Sequence, residues 1–285
     1  MRIRNPRRSV LTGAVAALGV CSLVLAFIAP GVEETKVDLN DGGVWVTNAK
    51  RGIVAHVNVP ARLMDAGLHA ASSTFDVFQN GEQVQLSDQA ANTLSPIDVT
   101  TATLTSAVDY RGMTTDVRGG TIAVTDAPNG KVWVQQADHP APINADDADA
   151  SISDVPGAVT TVDLEGNVHA VSAEAGRVTS LLKRRALTDT KTTPLTGIGA
   201  TDYLQIAAVG TDVVVWDRDT STLYLPGGKT QRIDGERVVL QDTGPKTNEV
   251  LLSSPDALIR VPIGGGTPTT VPAPAPGGNP TRPVA

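Results

Sequence analysis

The chain has 285 residues, 41% of them hydrophobic, which is enough for a sizeable core in one large domain or two small ones. Its formal net charge is −7; the first eight residues hold four Arg (Arg2, Arg4, Arg7, Arg8) and no acid, which leaves 19 basic against 30 acidic residues in the rest. An acidic body argues against a nucleic-acid partner, which needs a basic footprint, and the single cysteine, Cys21, excludes an internal disulfide and a multi-cysteine metal site.

In chain order, the basic residues 1–8 come first and read as a short cytoplasmic tail. From Ser9 to Ala29 there follow 21 uncharged, mostly apolar residues. At about 1.5 Å per residue a helix of that length spans the roughly 30 Å hydrocarbon layer. Arg on its N-terminal side predicts N-in, C-out. The expectation is an uncleaved single-pass anchor over 9–30 at the cell membrane, with the bulk of the chain extracytoplasmic. A cleaved signal peptide is the rival, but such apolar cores run about 7–15 residues and end in a small-x-small site. Here Ala29-Pro30-Gly31 puts a proline inside that site, and Val20 is branched where lipoprotein processing at Cys21 wants a small residue.

Beyond the anchor, six strand–turn–strand units recur: VWVTNAKRGIVAHVN from Val44, FDVFQNGEQVQLSD from Phe75, IAVTDAPNGKVWVQQ from Ile122, VTTVDLEGNVHAVS from Val159, VVVWDRDTSTLYLP from Val213 and VLLSSPDALIRVPI from Val250. Their spacings of 31, 47, 37, 54 and 37 residues average about 41, the period of a four-stranded propeller blade. QNGE, PNGK and EGN supply residues that tolerate positive φ, as tight hairpins demand. The last two units read as whole blades. LQIAA, VVVWD, TLYLP and QRI make four short strands, and RVVLQ, EVLLSS, ALIRVPI and TPTTV make four more. Residues 88–120 carry little pattern.

Composition agrees with an all-β fold. Aromatics are only 3%, so the core relies on Val, Leu, Ile and Ala, and branched Val and Thr fit a pleated surface better than a helix. One four-stranded sheet cannot bury both faces, whereas radial packing covers the faces and leaves short edges. The expected architecture is therefore β-propeller-like over 35–270, with about six four-stranded blades. The ring would close if KVDLN (36–40) completed the last sheet, and a missing seventh blade would leave it open. An array of fibronectin-type sandwiches, at about 90–100 residues each, fits the rhythm less well. The three tryptophans, Trp45, Trp133 and Trp216, fall within these strands and read as blade-to-blade packing. The tail 271–285 is rich in Pro and Gly and reads as an extended linker.

RRSVLTGAVAALGV, DLNDGGVWVTNAKRGIVAHVNVPARLMDAGL and FDVFQNGEQVQLSD together resemble the N-terminal part of actinobacterial membrane-anchored surface proteins, over roughly residues 8–270. That family carries a propeller-like region followed by fibronectin type III or Ig-like modules. DGGVWVTN also resembles blade motifs of streptogramin-lyase-type propellers. The resemblance implies a surface-exposed binding or scaffolding role and no catalytic residues. The sequence departs from the family by stopping at Ala285, inside the linker and before any fibronectin module, which points to a short relative or a truncated reading frame.

Candidate chemistry is sparse. G-x-S-x-G and H-E-x-x-H are absent, and the four histidines are scattered at His56, His69, His139 and His169. Two of them meeting at a propeller axis would make a metal site or a base, but His56 and His169 sit at different offsets from Gly52 and Gly166. GGKT (227–230) mimics the end of a phosphate loop, yet Leu223 stands where its first glycine belongs. GIGATD (197–202) has no helix after it. Asp217 and Asp219 share one turn and read as turn stabilisers. The acidic loop 145–154 lacks the carboxylate spacing of a calcium loop. LLKRRALTDTK (181–191) reads as a solvated connecting loop, or else as a contact for anionic wall polymer or phospholipid. We therefore expect no catalytic, cofactor or metal residues. We expect a non-enzymatic binding or scaffolding protein with an envelope protein or polymer as its partner. A channel-centred lyase or hydrolase, and an envelope sensor acting through a membrane partner, are the alternatives.

Overall fold

The computed structural model describes residues 43–284 other than 82, 145, 147, 148, 185, 186, 275 and 276. The expected cytoplasmic tail, the anchor at 9–30 and the strand at 36–40 lie outside the described residues. Among the described residues no helix is long and apolar enough to cross a membrane. They form strands and two 3-10 turns, Ala49–Arg51 and Pro226–Gly228, and no α-helix.

The strands fall into six antiparallel sheets, each built mostly from consecutive hairpins. Sheet one is β1 (Gly43–Asn48), β2 (Ile53–Asn58) and β3 (Leu63–His69). Sheet two is β4 (Phe75–Asn80), β5 (Gln83–Asp88), β6 (Thr93–Asp98) and β7 (Thr103–Leu104), with β8 (Val108–Asp109) also paired to β6. Sheet three is β9 (Thr114–Arg118), β10 (Thr121–Asp126) and β11 (Lys131–Gln136). Sheet four is β12 (Val159–Val162), β13 (Val168–Ser172), β14 (Arg177–Arg184) and β15 (Leu187–Pro194). Sheet five is β16 (Leu204–Val209), β17 (Asp212–Asp217), β18 (Thr222–Leu225) and β19 (Lys229–Arg232). Sheet six is β20 (Val239–Leu240), β21 (Glu249–Ser253), β22 (Ala257–Pro262) and β23 (Thr269–Pro272).

Each hairpin found in the sequence exists, one per sheet, but the six are out of phase. Those from Val44, Phe75 and Val159 are strands one and two of their sheets; those from Ile122, Val213 and Val250 are strands two and three. Counted from first strands, the sheets begin at Gly43, Phe75, Thr114, Val159, Leu204 and Val239, a more even series. The weakly patterned stretch 88–120 holds the short strands β6 to β9. The run 181–191 is not a connecting loop: its described residues lie in the β14–β15 hairpin. The last sheet has four described strands from 239–272.

Seven hairpin turns share one construction. The last strand residue is Asn48, Asn58, Asp88, Asp98, Asp126, Ser172 or Asp217, and its side-chain oxygen accepts the backbone N–H three residues on. The fourth loop residue then takes positive φ: Gly52, Arg62, Asn92, Ala102, Gly130, Gly176 and Ser221. Asx and Ser side chains bond their own backbone in this way, which makes them turn formers. PNGK is accordingly not a two-residue turn; Gly130 ends a four-residue loop that begins after Asp126.

The sheets stack radially. First strands lie side by side, β1 with β4, β4 with β9, β9 with β12, β12 with β16 and β16 with β20, so they are the innermost strands. Five apolar cores join the six sheets in succession. Trp45 packs in the core between sheets one and two, and Trp216 in that between sheets five and six, where its indole N–H also donates to the Val238 carbonyl (3.2 Å). Among the described residues no core joins sheet six to sheet one. The free face of sheet one leaves Val44 43%, Val46 41% and Met64 65% exposed. The C-terminal residues cross back over sheets five and six. Arg282 donates to the carbonyls of Ile206, Leu240 and Gln241 and pairs with Asp242 (3.1 Å).

Candidate functional site

The histidines do not converge. His56 lies on β2, its Nδ1 2.6 Å from Asp65 Oδ1 and its ring 5.3 Å from that of Trp45. His69 ends β3. His139 is in a loop, paired with its neighbour Asp138 (2.9 Å). His169 is buried on β13. None of the innermost strands carries a histidine, and their acids are Asp76 and Asp116 alone. Asp76 is exposed and accepts the Val77 N–H. Asp116 accepts from Arg118 (2.5 Å), from the Val162 N–H (2.9 Å) and from the Thr161 hydroxyl (3.2 Å). Thr161 in turn shares a hydrogen with Thr243 (2.6 Å). The axis is thus tied across sheets three, four and six by a carboxylate and two hydroxyls.

Sheet four holds a constellation that the sequence reading did not pick out. Strand pairing sets Ser180 opposite His169 on one side and opposite Lys191 on the other. His169 Nδ1 is 2.8 Å from Ser180 Oγ, and Nε2 is 3.3 Å from Asp163 Oδ2. A carboxylate only accepts, so Nε2 carries a hydrogen and donates it to Asp163. Burial works to raise the Asp163 carboxyl, but hydrogen bonds from His169 and Asn167 outweigh it and hold it below its ordinary 3.8. These are the residue types of an acyl-transfer triad, but their setting is structural. Asp163 also accepts the backbone N–H groups of Glu165 and Asn167 and so shapes the β12–β13 turn. Ser180 sits in an inner strand with neighbours on both sides, so the ladder takes the surrounding backbone N–H groups that an oxyanion hole would need. The signal was present in the sequence: 169 and 180 are equidistant from the Ser172–Arg177 turn.

His169 and Ser180 face a cleft of about 500 Å3 between sheets four and five, whose far wall includes Tyr224 and the Gly227–Gly228 turn. GGKT therefore makes the 3-10 turn between β18 and β19, not a phosphate loop. A second cavity, of about 430 Å3, lies between sheets two and three and is lined by Phe78, Gln85, Val117, Arg118 and Leu164. Asp217 is fully buried and caps its turn through the N–H groups of Asp219 and Thr220, while Asp219 accepts the Tyr203 N–H (2.6 Å). In 197–202, Asp202 accepts the Gly199 N–H. Among the described residues no group of three or more His, Cys, Asp or Glu side chains is placed to hold a metal ion.

Six hairpin sheets stacked about an axis define a β-propeller. No protein-family model matches the chain, and no curated protein sequence matches it. Solved propeller structures do. A streptogramin B lyase aligns at TM-score 0.51 and 12% identity over 81% of this chain and 79% of that one. The dihydro-heme d1 dehydrogenase NirN, in complex with DHE, aligns at 0.58 and 12% over 88% of this chain and 57% of its own length. KlAtg21, in complex with the coiled coil of AgAtg16, aligns at 0.56 and 12% over 78% and 76%. Identities this low show a shared fold and no more.

Proposed function

We propose that the protein is a propeller tethered to the cell membrane by its N-terminal segment, with its body outside, where it binds or scaffolds an envelope protein or polymer without transforming it. One observation carries this reading. Three of the four histidines are tied to partners close in sequence, His56 to Asp65, His139 to Asp138 and His169 to Asp163 and Ser180, and Asp217 serves its own turn. What faces outward is a set of short turns on a rigid frame, the arrangement by which scaffolds present recognition loops. Arg2 to Arg8 followed by 21 uncharged residues supports the tether, and the likeness to actinobacterial surface proteins supports the setting. The KlAtg21 complex is an instance of a propeller that holds another protein. A lyase or hydrolase at the channel would ask for histidines or acids from several sheets about the axis.

The test is affinity capture from envelope extracts on immobilised full-length chain. A protein or polymer retained at physiological salt, and lost when the propeller is heat-denatured, is the expected result. Retention of nothing, together with substrate turnover by the purified chain, overturns the reading. Protease applied to intact cells should cleave the propeller; complete protection would rule out an external body.

A further inference from the structure

We propose that a third cavity, between the innermost strands of sheets four and five, binds an uncharged sugar ring; this rests on the binding role proposed above and names the polymer as a glycan. At about 460 Å3 the cavity has the size of a ligand site. It lies where β12 and β16 begin, with Val159, Thr160 and Gln205 on those strands, Asp202 and Tyr203 just before β16, and Arg282 beside them. Its decisive feature is Tyr203, which is 57% exposed. Among the described residues this is the one exposed aromatic side chain: the three tryptophans, Phe75, Tyr110 and Tyr224 are buried, and Phe78 is half-buried. In a chain that hides its other aromatics, an open ring on a cavity wall is the surface a ligand would cover.

The ring is held in place by its neighbours. The Tyr203 N–H donates to Asp219 (2.6 Å), its carbonyl accepts the Arg218 N–H (3.1 Å), and the Arg218 guanidinium stands over the ring, 5.8 Å from its centroid. The polar groups of the wall narrow the class. Gln205 Oε1 accepts the Leu240 N–H (2.8 Å), which leaves the amide N–H groups to donate to a ligand. Asp202 accepts the Gly199 N–H through one carboxylate oxygen and has the other to accept again, and the Thr160 hydroxyl can do both. A pyranose matches this set: its C–H face packs on the tyrosine ring and Val159, and its hydroxyls donate and accept along the rim. A flat aromatic ligand would cover the ring but leave the polar groups unmet. The two charges on the wall, Asp202 and Arg282, are opposite in sign, and Arg282 is already paired with Asp242, which gives an anion no advantage.

Full-length chain is titrated with methyl glucopyranoside, methyl mannopyranoside, methyl galactopyranoside and N-acetylglucosamine, and binding is read by saturation-transfer NMR. At least one should bind with a Kd of about 1 mM and receive saturation at its ring C–H protons. Tyr203→Ala, at an exposed position that folding does not depend on, should weaken that sugar about tenfold, whereas Tyr203→Phe, which keeps the ring, should bind as wild type does. Binding of none of the four at millimolar concentration overturns the proposal, as does binding unchanged by Tyr203→Ala. The capture experiment separates this site from the binding role itself. Glycan retained equally by wild type and Tyr203→Ala leaves the role standing and overturns the site. Capture of an unglycosylated protein that Tyr203→Ala abolishes assigns the cavity to a peptide and overturns the sugar.

Discussion

His169 shows how far a single residue can mislead. With Ser180 and Asp163 it has the composition of a hydrolytic triad, yet each member is committed to holding sheet four and its first turn together. His169→Ala would leave the Ser180 hydroxyl buried without its partner and take one donor from the Asp163 carboxylate, which keeps those of Glu165 and Asn167, at a cost of about 2 kcal/mol of stability. Chemical denaturation of the purified chain measures it; a loss below about 0.5 kcal/mol, the size of an ordinary surface change, would show that the network does not stabilise the sheet. Asp163 also makes stability depend on acidity. Its folded pKa lies below the ordinary 3.8, so its contribution is present above that value and is lost as pH falls through the lower folded one. Denaturation midpoints of wild type should therefore drop below about pH 4 more steeply than those of Asp163→Asn. Tyr110 acts at the other end of the scale. Burial pushes its hydroxyl up to about 12, so its neutral form is favoured in the folded chain. The stability that follows is present below 10.0 and is lost as pH rises from there toward 12. Tyr110→Phe should flatten that alkaline loss, at the expense of the bond to Gln135 Oε1 (2.9 Å).

The repeated element is the capped four-residue hairpin turn, and it sorts its own positions by chemistry. Arg62, Asn92, Ala102 and Ser221 all carry positive φ without being glycine. The left-handed region costs an L residue about 1 kcal/mol, so Arg62→Gly, on an exposed turn, should stabilise the chain by up to that amount. Gly130→Ala should do the reverse and by more, because a Cβ there would meet the Pro156 nitrogen at 2.7 Å. Paired denaturation curves test both signs; equal shifts in one direction would refute the assignment. These turns also explain what could be read from the sequence. Sheets five and six were legible strand by strand, since DRDT and SPDA lie between clean runs of Val, Leu and Ile. Sheet three was not, because its first strand, TTDVR, has one strong apolar residue, Val117. Once that strand is missed, the unit beginning at Ile122 is counted from the wrong strand, and the repeat drifts. The triad-like row of sheet four was hidden for a related reason. It depends on cross-strand register, which only the placement of the Ser172 turn reveals.

At the scale of the whole molecule, what matters is that five cores serve six sheets. The seam between the last sheet and the first has no core among the described residues, and its two sides differ in kind. Val44 and Val46 face away from the interior and are more than two-fifths exposed, while Val54 on the next strand is fully buried against sheet two. Val46→Asp should therefore change stability by only about 0.5 kcal/mol, whereas Val54→Asp, which buries an unpaired charge, should cost at least about 3 kcal/mol. A large loss from Val46→Asp would mean that the face is covered. Arg282 holds the other side. Its guanidinium spans carbonyls from sheets five and six, so Arg282→Ala should raise amide hydrogen exchange in β20 and β16 while leaving β4 and β5 unaffected.

A closed ring must break two joints before any blade can leave. Among the described residues, sheets one and six each lean on a single core, whereas every other sheet leans on two. Assemblies held by nearest-neighbour contacts come apart first where those contacts are fewest. Heating should thus release these two sheets before the rest, so that the calorimetric enthalpy exceeds the van 't Hoff value.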